Sequence, residues 1–227
     1  MKPFTWSWSK LKNWRSCPKR HWEIDIAKRY KEDESDQLLW GHQVHEAMAK
    51  RIGRGKPLPP TMSHYDGWAK RAEKLRPEMT IMVEQKLAMA RDFSKTGYFD
   101  DNTWFRAVAD VLAISKPAKL AITYDWKTGG QIKPDMEQLA LSAQVIFAHY
   151  PEIDIVGTSF IWLGHDDETA RTYQRDEMLP FWNGMWPEIK KLEFAHQTTD
   201  YPAKPSGLCI KYCPVKSCVF HGKGSPR

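Results

Sequence analysis

Apolar residues along this chain follow two successive rhythms. In the N-terminal third they recur every three or four positions; beyond it they gather into runs bounded by turn-forming residues. The first rhythm predicts a helix beginning at Ser7 or Ser9, either of which can cap it, and running to about Tyr30 with a break at Pro18. A second helix is predicted from Gln37 to Ile52, ended by Gly53-Arg-Gly55, and a third from Tyr65 to Leu75, stopped near Pro77. The runs Thr80 to Met89, Trp104 to Ile114 and Leu120 to Trp126 predict an antiparallel meander, with Asp100-Asp-Asn102 and Ser115-Lys-Pro117 in its turns. A helix from Pro134 to His149 follows, its apolar face made by Met136, Leu139, Ala140, Ala143 and Phe147. Two more strands, Asp154 to Leu163 and Ala170 to Gln174, lead to a helix over Met178 to Phe194, bent at Pro187. Helices, three strands, helix, two strands, helix is the order of an α/β sandwich around a mixed sheet.

Within that pattern a few polar residues sit where apolar ones are expected. Asp125 and Lys127 are two apart at the end of a strand-like run, so both point to one face of a sheet. Asp110 interrupts the preceding run and can neighbour Asp125 across it. Acids inside apolar strands are costly to bury unpaired, so a surface ion pair at strand ends explains the pattern less well than a shared site. Two carboxylates and a lysine can hold a hard divalent cation and set water against a phosphodiester. Glu84 is either a further acid near that site or a solvent-facing strand residue. His45, on the second helix, fits either a hydrogen-bonded histidine or a metal ligand; His42 lies almost opposite and is predicted to be exposed.

The net charge of +6, from 34 basic and 28 acidic residues, favours an acidic partner, with nucleic acid first. Lys19, Arg20, Arg51, Arg54 and Lys56 are candidates to track a phosphate backbone, or are solvated surface charges. Eleven tryptophans, four of them in the first helical segment, make either a core stripe or a stacking surface. No apolar stretch has the length of a membrane span or the form of a signal region, which points to the cytoplasm. There the four cysteines, Cys17, Cys209, Cys213 and Cys218, are expected as metal ligands or free thiols rather than disulfides.

Ser7-Trp-Ser9-Lys-Leu11, Cys17-Pro-Lys-Arg20, Gly41-His-Gln-Val-His45-Glu46, Asp110, Asp125-Trp-Lys127, Gln138 and three closing cysteines occur in one order along nearly the whole chain. That series resembles the PD-(D/E)XK nuclease superfamily, and within it the branch with RecB nuclease domains, the AddB subunit and Cas4 proteins. The resemblance implies a single restriction-endonuclease-like domain over residues 1–227: a helical part to 78, a catalytic core over 79–195 and a cysteine-bearing tail over 196–227 packed on the helical part. It implies that His45, Asp110, Asp125 and the Trp126 carbonyl ligate Mg²⁺ or Mn²⁺, that Lys127 is the motif lysine, and that Gln138 positions the site or the DNA strand. Ala107-Val-Ala-Asp110 replaces the usual G-x-x-D, and Ser142 stands where a tyrosine is usual.

The same branch carries a 4Fe-4S cluster on one N-terminal and three C-terminal cysteines. Here the tail reads C-x3-C-x4-C, with the middle ligand one residue from its usual place. A zinc ion on three thiols and His221 is the competing reading, and free cysteines the third. The implied activity is metal-dependent hydrolysis of DNA, as an exonuclease of phage or bacterial recombination, repair or replication, with protein partners from those processes. The alternatives are a structure-specific endonuclease and an idle nucleic-acid-binding module on the same scaffold.

Overall fold

In the computed structural model the described residues are 3–32 and 35–224, and they form two compact units. The first is built from Ser35–Trp182, the second from residues 4–32 and 183–224.

The first unit opens with α3 (Asp36–Arg54), which follows α1 (Trp8–Ser16) and α2 (Pro18–His21) of the second unit. Ser35 caps α3 by accepting the Leu38 N–H at 3.2 Å, and Gly55 ends it in the left-handed region at φ 66°. Val44, Met48 and Ile52 recur every fourth residue and bury one stripe of the helix, each contributing on the order of 2 kcal/mol. After a 3₁₀ turn, α4 (Asp66–Glu73) adds Ala69 and Ala72 to the same layer. Arg51 ties the two helices together by pairing with Asp66 and Glu73, each at 2.7 Å.

Six strands follow: β1 (Thr80–Met89), β2 (Lys95–Thr96), β3 (Phe105–Ser115), β4 (Leu120–Lys127), β5 (Ile155–Trp162) and β6 (Asp167–Gln174). Their order is β2-β1-β3-β4-β5-β6. All neighbours are antiparallel except β4 and β5, which are parallel and joined through α5 (Met136–His149). Alternation assigns the faces. Ile81, Val83, Val111, Ile122, Tyr124, Trp126 and Ile161 meet α3 and α4. The opposite face carries Asp110, Asp125 and Lys127, and α5 covers it, with Gln138 reaching Asp125 and the Met136 carbonyl accepting from the Tyr173 hydroxyl at 3.1 Å.

The sandwich with its mixed sheet is as the apolar runs predict. The bounds of β1 match the expectation, and β2 is an addition. The first helix is shorter than expected. Ser7 caps it, but it stops at Ser16; α2 begins at Pro18, where the missing N–H costs nothing, and a π-helical turn spans Trp22–Ile26.

The second unit contains α1, α2, that π turn, most of α6 (Met178–Thr198) and the short α7 (Leu208–Lys211). Arg15 clasps Glu188 through Nε and Nη2, and Arg29 clasps the buried Glu23 in the same forked way. Trp22 stacks on Tyr201 with ring centroids 4.8 Å apart. The Lys19 N–H donates to the Pro202 carbonyl, which holds the start of α2 against the C-terminal segment.

Candidate metal and catalytic site

The site forms where two strands part. The β3–β4 ladder runs from Ser115↔Leu120 to Val111↔Tyr124 and pairs no further. In register, the next two positions are Asp110 and Asp125. There the Asp110 carboxylate replaces the ladder, accepting the Trp126 N–H at 2.8 Å through Oδ2. Its other oxygen meets His45 Nδ1 of α3 at 3.0 Å. Asp110 is therefore buried yet fully engaged, which is what makes its burial tolerable.

Across β1 the facing residue is Glu84. Val83↔Val111 and Gln85↔Ala109 are paired on either side of it, while Glu84 itself has φ 49°, the left-handed region. A glutamate inside a strand adopts that conformation only at a cost, on the order of 1–2 kcal/mol. The strain brings its carboxylate to Asp110 and His45, so that donor atoms of the three lie within 4.8 Å of one another. Among the described residues this is the only such group of three.

Asp125 and Lys127 share a face, as their spacing predicts. Lys127 Nζ lies 2.7 Å from Asp125 Oδ1 and 4.6 Å from the centre of the Phe160 ring. Gln138 of α5 spans the pair, its amide nitrogen donating to Asp125 Oδ2 at 2.5 Å and its oxygen accepting from Lys127 at 3.3 Å. Ser142, in the place of the usual tyrosine, turns back to bond the Gln138 carbonyl at 3.0 Å.

Gly41 explains its own place in the G-x-x-x-H element. A Cβ there would lie 3.1 Å from Thr128 Oγ1, so glycine lets α3 approach the end of β4 and brings His45 to the sheet.

The acids and the imidazole act on one another. Burial pushes the Asp125 carboxyl up, and of its charged neighbours Lys127 opposes the rise while Asp110 adds to it. Desolvation and the charge of Asp110 raise Glu84. Burial alone would lower His45, but the hydrogen bond and charge of Asp110, with Asp125 and Glu84, outweigh it and leave the imidazole above its ordinary value. Raised values on two carboxyls and an imidazole mark a place that favours added positive charge, and their nitrogen and oxygen donors are of the kind a hard dication takes. The Lys127 carbonyl accepts the N–H of Leu163, just past the end of β5, at 3.0 Å. Successive carbonyls of a strand alternate sides, so that of Trp126 faces the parted edge, on the same side as its N–H.

The remaining predicted residues are dispersed. His42 is exposed. Arg51 pairs with Asp66 and Glu73, each at 2.7 Å, and so ties α3 to α4. Arg54 and Lys56 are exposed at the end of α3. Lys19 and Arg20 line a cavity in the second unit, where Arg20 also pairs with Glu32 at 2.7 Å.

All four cysteines line that same cavity. Cys17 Sγ accepts the Lys204 N–H at 3.3 Å, and Cys209 Sγ the Ser206 N–H at 3.4 Å. Burial raises the Cys213 thiol, with the charges of Cys209 and Cys17 adding to it. His221 is not among the lining residues, and its buried Nδ1 has no hydrogen-bond partner.

Sequence reasoning passed over Lys86, Arg106, Tyr98 and Phe99, which gather farther along the β1–β3 ribbon that carries Glu84 and Asp110. The signal was present in Arg106-Ala-Val-Ala-Asp110, whose alternate residues share a face.

Comparison with known proteins gives one family match and distant structural neighbours. A model of the PD-(D/E)XK nuclease superfamily matches residues 5–218. No curated protein matches the chain by sequence. Among solved structures, one described as a "Putative exonuclease" from Eubacterium rectale superposes with a TM-score of 0.56 at 11% identity, over 98% of this chain and 90% of that one. Another, described as SSO0001, gives a TM-score of 0.46 at 14% identity over 97% and 89% of the two chains. The family model takes in the parted strands, the G-x-x-x-H helix and the cysteines in a single span, and the chain belongs to the PD-(D/E)XK nuclease superfamily.

Proposed function

We propose that the chain is a Mg²⁺- or Mn²⁺-dependent deoxyribonuclease that degrades DNA from its ends, with a 4Fe-4S cluster as a structural clip in its second unit. The observation that carries the hydrolytic reading is the convergence of His45, Glu84 and Asp110 at one end of a parted ladder, with Asp125 and Lys127 on the adjoining strand. His45, Glu84, Asp110, Asp125 and the Trp126 carbonyl are the groups that would hold the ion. When bound, it supplies Lewis acidity toward the phosphate and toward an attacking water.

The chain's own residues do the rest. Asp125 and Gln138 hold the Lys127 ammonium through two of its three N–H groups, leaving one to orient a water or meet a non-bridging phosphate oxygen. Phe160 beneath the ammonium keeps it from collapsing onto the sheet. The end-directed preference rests on the resemblance to RecB-like nucleases and on the "Putative exonuclease" among the structural neighbours.

The cysteine cavity suits a cluster better than a single ion. In a tetrahedral zinc site the sulfurs, ~2.3 Å from the metal, lie ~3.8 Å from one another. No three of these cysteines approach within 4.8 Å, although all four face one space. Backbone N–H groups on two of the sulfurs suit thiolates that share charge with a cluster.

The test is hydrolysis of labelled single-stranded, linear duplex and closed circular DNA with Mg²⁺ or Mn²⁺, beside Asp125→Ala. Loss of linear substrate to short products, with circles intact and the variant inactive, is expected. Cleaved circles would show an endonuclease, and no cleavage by the wild type would leave an idle binding module. Protein purified without oxygen is expected to be brown, with iron and sulfide; a colourless protein with stoichiometric zinc overturns the cluster.

A further inference from the structure

One face of the β1–β3 ribbon continues outward from the acids. Register places Lys86 opposite Val108 and Ala88 opposite Arg106, in series with Glu84 and Asp110 on that face. β4 no longer runs beside this stretch, and Lys86 and Val108 are exposed there. Over it lie Tyr98 and Phe99. Lys86 Nζ is 5.6 Å and 5.7 Å from their ring centres, and the Arg106 guanidinium is 5.4 Å from each.

The loop that presents the two rings is stitched in place. Asp100 accepts the Gly97 N–H at 2.8 Å, Thr103 Oγ1 donates to the Gly97 carbonyl at 2.8 Å, and a Cβ at Gly97 would collide with the Asp100 carboxylate. At its tip Phe99 is 74% exposed, a large aromatic surface left facing solvent. The cations beside it lack acidic partners among the described residues, and Arg106 Nε is buried with no hydrogen-bond partner.

We propose that this strip binds single-stranded nucleic acid, with bases stacked on Tyr98 and Phe99 and phosphates held by Lys86 and Arg106. An exposed ring needs the open π-face of an unstacked base, which a duplex interior does not offer, while the two cations fit the backbone. Arg106 lies four residues from Asp110 along β3, ~13 Å at the rise of a strand. That is between about two extended and about four stacked nucleotides from the metal donors. The strip would thus receive the strand that leads into the cleavage site. The inference deepens the nuclease reading and rests on it for the meaning of the path, whereas binding itself is testable without cleavage.

The experiment is fluorescence anisotropy of a labelled oligothymidylate of about 12 nucleotides in EDTA, so that no hydrolysis occurs. Phe99→Ala and Tyr98→Ala are each expected to weaken binding about tenfold, with affinity for a blunt duplex unchanged. Lys86→Ala is expected to flatten the salt dependence by about 0.7 in the log–log slope, the share of one single-strand phosphate contact. Phe99→Ala removes an exposed side chain, so its melting temperature should match the wild type. Wild-type affinity in Phe99→Ala, or equal losses on single strand and duplex, overturns the proposal. An inactive wild type that still shows the Phe99 dependence overturns the nuclease reading alone.

Discussion

Glu84 pays for its position with backbone strain, and the cost is measurable. Replacing it with glycine removes the side-chain clash at φ 49° and one charge beside Asp110. Glu84→Gly is expected to stabilise the protein by about 1 kcal/mol, or ~2–4 °C in melting temperature, while weakening Mn²⁺ binding and cleavage; thermal unfolding and calorimetric titration check both. Lys127→Met tests the neighbouring claim. It should lower kcat at least ~10³-fold with little change in DNA affinity, as for a group used in the transition state. The pH dependence follows from the same cluster. Asp125 and Glu84 have folded values above their ordinary ones, so the folded state binds more protons than the unfolded, and metal-free stability falls as pH climbs through the carboxylate range. His45 is also raised, so its contribution is full below its ordinary value and is lost as pH rises through the folded one. A dication competes with those protons. Its stabilisation should therefore be small near pH ~5 and large near pH ~8, read as the shift in melting temperature on adding Mn²⁺.

At the scale of elements, α3 is set against β4 by the absence of one methyl group. Gly41→Ala gains about 1 kcal/mol in helix propensity but must displace Thr128, so stability should change by less than about 1 kcal/mol. Mn²⁺ affinity should nonetheless fall about tenfold as His45 is carried off the sheet, measured by titration calorimetry. The strand Thr80–Met89 was legible as a long run rich in apolar residues, and so were Asp110 and Asp125, since acids stand out in apolar strands. β2 was not, because two residues carry no period, and neither was the four-residue α7. The left-handed turn of Glu84 has no sequence signal, as glutamate does not favour it and only its neighbours impose it. The pairing of Arg51 was not legible either, because Asp66 and Glu73 reach it from another helix. The first helix broke at Pro18 as expected, but the π turn after it places Glu23 in reach of Arg29 six residues on, a pairing that helical periodicity does not encode.

At the scale of the whole molecule, two compact units share one chain. No helix among the described residues is long and apolar enough to cross a membrane. Cys213→Ala is expected to bleach visible absorbance and to expose residues 4–32 and 183–224 to limited proteolysis, while 35–182 stay resistant; gel analysis with mass mapping reads the outcome.

The unbroken numbering of partners on both sides of Glu84 has one last consequence. Insert or delete a single residue between Thr80 and Val83, and the anchored far half of β1 either keeps its partners or slides by one. In the second case a glutamine or a valine would face Asp110 and the acid would turn to the opposite side of the ribbon. Length variation among natural variants should therefore be absent from the short stretch before Glu84.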